Sequence, residues 1–84
     1  MPNLSAWRVN DVVAYDAMLE VAGTLTALLL NIARAGGDDA LTARRELAEV
    51  RHAVLAVDGY DRAAVEALAT RLRARIGDLS GAAS

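Results

Sequence analysis

His52 is the sole histidine of an 84-residue chain that has no cysteine and no lysine, and this inventory limits what chemistry the side chains can do. A nitrogen- or sulfur-rich metal site needs several such ligands, and none exists to join His52. An imidazole acting as general acid or base also needs a positioned partner, so His52 is predicted to be a surface residue. Asp38 and Asp39 could serve a hard cation, but as paired acids ahead of a helix they already have a structural use at its first turn. The stretch 58–66, "DGYDRAAVE", sets acids around a glycine without the twelve-position alternation and closing glutamate of a calcium loop. There is no glycine-rich phosphate loop, no G-x-S-x-G elbow and no H-E-x-x-H pair. The sequence therefore predicts no catalytic residue, no cofactor and no metal.

All nine basic residues are arginine, against eleven acids, for a net charge of −2. That balance disfavours a dedicated nucleic-acid binder, whose affinity comes from excess positive charge facing phosphate. Arg44, Arg45 and Arg51 followed by the short "DGYD" turn permit a helix-turn-helix, but Asp58, Asp61 and Glu66 would then stand near the phosphates at the leading end of the recognition helix. Guanidinium groups find a better use in bidentate bonds to the carboxylates of an acidic protein. One stretch has an enzymatic parallel: "LAEVRHAVLAVD", 47–58, followed by Arg71 and by Ile76 and Gly77, resembles part of the long first helix of the all-helical chorismate mutases. That resemblance implies substrate carboxylates held by Arg51 and Arg71. The chain departs from the family pattern where "DGY" interrupts the continuous helix, and it has no lysine for the active site.

The elements that carry these residues are helical. Stepping about 100° per residue, Val12, Tyr15, Met18, Leu19, Val21, Ala22, Leu25, Leu28, Leu29 and Ile32 cover roughly 250° of a helix circumference. Asp16, Glu20, Thr24, Asn31 and Arg34 form the remaining polar strip. A first helix is predicted over about 11–35, capped by Asn10 and ended by Gly36 and Gly37. Pro2 and Ser5 suggest a preceding turn that sets Trp7 on the bundle as an anchor. Glu20 and Arg34 bracket the longest uncharged stretch, which falls short of the ~20 residues of a bilayer span. Gly23 is read either as a point of close helix approach or as a tolerated defect worth about 1 kcal/mol.

A second helix is predicted over about 39–57, capped by Asp38 or Asp39. Ala43, Leu47, Val50, Val54 and Val57 share its main apolar face, and Leu41, Ala48 and Leu55 form a thinner seam set apart by Arg44 and Arg51. A third helix over about 61–79 carries one narrow stripe, Val65, Leu68, Ala69, Leu72, Ile76 and Leu79, and frays towards its glycine-containing end.

The expected fold is all-α, a single domain: a small antiparallel three-helix bundle, or a long helix packed against a helical hairpin, completed by a second copy or another protein. The first helix carries more apolar surface than two ordinary neighbours cover. Met18, Val21, Leu25, Leu28, Leu29 and Ile32, with Arg71 and Arg75, are therefore the expected partner interface. No signal peptide or membrane span is predicted, which points to a cytoplasmic protein. The functional expectation is a non-enzymatic protein–protein interaction module of the antitoxin, immunity or operon-partner kind, with a homo-oligomeric structural or assembly subunit as the main rival.

Overall fold

The computed structural model describes residues 2–82, with side chains over 11–81. It contains three helices, α1 (Pro2–Ala35), α2 (Ala40–Ala56) and α3 (Arg62–Ala82). The fold is an all-α three-helix bundle, of the kind in which one long helix lies against a hairpin. α2 and α3 both pack along α1 and hardly touch one another.

α1 begins well before the predicted Asn10 cap. Proline suits a first helical position, where its missing N–H would be unpaired in any case. From there to Asn10 no residue carries a penalty large enough to stop propagation, asparagine included. Asn10 and Asp11 thus lie inside a helix rather than at its start. The expected anchoring role of Trp7 falls on a side chain outside those described. At the other end the expectation holds: Gly36 takes φ 71°, the left-handed conformation that ends a helix without a Cβ clash.

The two remaining helix starts differ. Asp39 occupies the N-cap of α2 but makes no side-chain cap bond, because its backbone is already helical at φ −86° and ψ −6°. The Ala40 N–H instead bonds the Gly37 carbonyl at 3.1 Å, and the Ala43 N–H bonds that of Asp39 at 2.9 Å. Asp61 does cap: its Oδ1 accepts from the Ala64 N–H at 3.1 Å.

The core follows the apolar faces. Met18, Leu25 and Leu29 of α1 and Val65 of α3 are sealed from solvent, with Val50 and Ala43 from α2 and Leu68, Ala69 and Leu72 from α3 around them. Alanine at 22, 33, 40, 43 and 69 is also buried, and side chains this small let the helices approach. One polar tie joins the outer helices: Arg75 donates from Nε to Glu46 Oε2 at 2.6 Å and from an Nη to Glu46 Oε1 at 2.9 Å.

Candidate partner-binding face

The predicted interface residues divide into three groups. Met18, Leu25 and Leu29 are core, at 0%, 1% and 1% exposure, so they offer nothing to a partner of the folded chain. Val21 and Ile32 are half-buried and pack against that core, and Leu28 is half-buried beside it. α2 and α3 each cover part of the wide apolar arc of α1, while Val12 and Leu19, also in that arc, stay exposed. Arg71 is exposed, whereas Arg75 is committed to Glu46. That bond raises the affinity of the Arg75 guanidinium for its proton, against a smaller opposing effect of burial.

Exposed large aliphatic side chains stand on α1, at Val12, Val13 and Leu19, and on α2, where two of them fall in one stripe. Leu41 and Leu55 are 59% and 76% exposed, and Ala48 between them is exposed too. Residues seven apart return to almost the same angle on a helix, so these three form one stripe. Arg44 and Arg51 border it on the side nearer the core, and Arg45 and His52 on the other, all of them exposed. No carboxylate interrupts either border. Beside the stripe an apolar groove of about 430 Å³ runs between α1 and α2, lined by Gly23, Thr26 and Leu30 from one side and Leu47, Val54 and Leu55 from the other. A Cβ on Gly23 would meet nothing within 4 Å, which removes close helix approach as its explanation.

Two further concavities have different chemistry. Between α2 and α3, a cleft of about 360 Å³ gathers Glu46, Glu49, Arg71, Arg75 and Asp78. The two arginines singled out by the chorismate mutase resemblance do not converge: Arg71 lines this cleft, and Arg51 lines the groove on the opposite flank of α2. Beneath the α2–α3 turn, a groove of about 450 Å³ is lined by Asp11, Val12, Tyr15, Gly59 and Tyr60. Asp11 is 4% exposed and neither carboxylate oxygen has a hydrogen-bond partner. Sequence reasoning missed it by placing Asp11 in a first helical turn.

The leading end of α3 does not present a basic face. Arg62 is paired with Glu66 at 3.0 Å, and Asp61 is exposed beside it. Among the described residues no group of three histidine, cysteine or acidic side chains could hold a metal ion. Residues 11–35 are long and apolar enough, by length and composition, to cross a bilayer, although the uncharged stretch within them is shorter. In the bundle this segment is the central helix, and its outward strip carries Asp16, Glu20, Asn31 and Arg34. Compared with protein-family models, curated proteins and solved structures, the chain matches none.

Proposed function

We propose that this protein is a small interaction module that regulates a larger protein by laying the outer stripe of α2 against an acidic-rimmed apolar surface, in the manner of an antitoxin, immunity or operon-partner protein. The observation that carries the reading is the stripe itself: Leu41, Ala48 and Leu55 stand outside the completed core, bordered by Arg44, Arg45 and Arg51. Large aliphatic side chains left in water beside arginines have the makeup of an interface centre with a charged rim. The borders also favour a different protein over a second copy. Two copies stacked stripe to stripe, parallel or antiparallel, set arginine against arginine, and like charges in register oppose association.

Capture from cells of the source, with the whole chain as bait, tests this. The wild-type chain should retain a specific protein that Leu55→Asp and Arg51→Glu each fail to retain, while both variants keep the helical circular dichroism and melting temperature of the parent. Exposed substitutions of this kind usually change stability by no more than about 0.5 kcal/mol, so the two readouts separate. Equal retention by wild type and both variants would show that the α2 stripe is not the binding face.

A further inference from the structure

The groove beneath the α2–α3 turn has a composition that neither the core nor the α2 stripe explains. Asp11 places its carboxylate there, 4% exposed and with both oxygens lacking a hydrogen-bond partner. An ionised carboxylate only accepts, with room for several donors, and buried carboxylates are ordinarily paired. Among the described residues no basic side chain forms an ion pair with it: Arg62, at the start of α3, is held by Glu66, and Arg75 by Glu46. A buried acceptor that no described side chain supplies with a donor is suited to a donor from outside.

The walls specify which kind. Tyr15 and Tyr60 supply aromatic rings and Val12 an apolar side chain. Gly59 lies against Tyr15, close enough that a Cβ would stand 3.4 Å from Cδ1 and Cε1 of the ring. The turn carrying Tyr60 is fixed by Asp58, whose Oδ1 accepts from the Tyr60 N–H at 2.9 Å and whose carbonyl accepts from the Asp61 N–H at 2.9 Å. One carboxylate is too few oxygens for calcium, which takes six to eight, and the rings add no ligand that magnesium would accept. Aromatic rings beside a carboxylate instead match an organic cation, which an ammonium or guanidinium group supplies together with an apolar stem. Asp58 and Asp61 on the same turn add negative charge of the right sign.

We propose that this groove binds an organic cation, with Asp11 as counter-ion and Tyr15 and Tyr60 as its aromatic walls. The cation is the ammonium or guanidinium group of a free amine or of a basic side chain. The test is a titration of the whole chain with n-butylammonium chloride, followed by nuclear magnetic resonance at the Gly59 and Tyr60 amides and the tyrosine rings, against sodium chloride at equal ionic strength. Saturable shifts confined to this groove are expected. They should weaken at least tenfold in Asp11→Asn and several-fold in Tyr60→Ala, whose side chain is 75% exposed and removable without loss of core. Asp11→Asn should also melt at a higher temperature, since it removes the unpaired charge. A parallel titration with N-acetyl-lysine methylamide separates the sources: binding like that of butylammonium indicates a basic side chain, and binding of butylammonium alone indicates a free amine. No saturable shift with either probe would overturn the site, as would an undiminished titration in both variants.

Discussion

At the scale of single residues, burial separates side chains that look alike in the sequence. Leu25 and Leu55 are both leucines on helical apolar stripes, yet one is sealed and the other three-quarters exposed. Truncating Leu25 to alanine should cost about 2–5 kcal/mol, the usual loss for a buried leucine, because it removes contacts and leaves a cavity. The same change at Leu55 should stay within about 0.5 kcal/mol in chemical denaturation. Gly23 gives an opposite sign. It lies inside α1 with open space where its Cβ would stand, so Gly23→Ala relieves the backbone-entropy penalty without a clash. A gain of about 0.5–1 kcal/mol is expected, seen as a rise in melting temperature of several degrees. A fall would mean that the groove beside Gly23 is narrower than described.

The helices themselves were legible in the sequence; what surrounds each of them was less so. Three helices and the glycine stop at Gly36 follow from local chemistry, since apolar periodicity and dihedral preference are enough to set them. The seam Leu41, Ala48 and Leu55 was also visible, from its seven-residue spacing. The interface assignment of Met18, Leu25 and Leu29 failed for a reason no periodicity contains. Which part of a wide apolar arc two neighbouring helices cover depends on the sides they take, and the sequence does not say which. The Glu46–Arg75 tie was hidden for the same reason, as it joins residues 29 apart on separate helices. It spans helices that otherwise hardly meet, so its loss should loosen the free edge of the bundle. Glu46→Gln is expected to cost about 0.5–1 kcal/mol, the upper part of the range for accessible pairs since this one is half-buried, measured by urea unfolding. The folded state raises the proton affinity of Arg75, so this contribution is complete below the unfolded arginine value and fades only as pH rises through the folded one. On the alkaline side of neutrality the penalty of Glu46→Gln should therefore stay constant to beyond about pH 10, since arginine ordinarily loses its proton only in stronger alkali and Arg75 holds it more tightly still.

Over the whole molecule, the 34 residues of α1 outrun the 17 of α2 and the 21 of α3 packed along it, and the elongated shape has a cost in surface. The chain measures 55 × 25 × 16 Å with a radius of gyration of 15.1 Å, where a compact domain of this length would have about 12 Å. It exposes 5897 Å², against about 4,800 Å² for a compact monomer of its mass. The difference, about 1,100 Å², exceeds the ~800 Å² that each partner contributes to a standard interface. On the proposed reading, the charge around the α2 stripe decides between a second copy and a different protein. If the arginine borders oppose self-association, the isolated chain should sediment as a folded monomer at micromolar concentration in low salt. Raising the salt should then allow weak dimers, because screening shortens the reach of like-charge repulsion from about 30 Å at 0.01 M to about 3 Å at 1 M. Leu55→Asp should abolish those dimers, since a carboxylate in the stripe must be desolvated for the faces to meet. The homo-oligomeric assembly reading makes the reverse demand: a dimer already present at low salt, insensitive to added salt and broken by Leu55→Asp. Sedimentation velocity of the wild type and Leu55→Asp at the two salt concentrations distinguishes them, and a tight low-salt dimer would replace the heteromeric partner with a second copy of this chain.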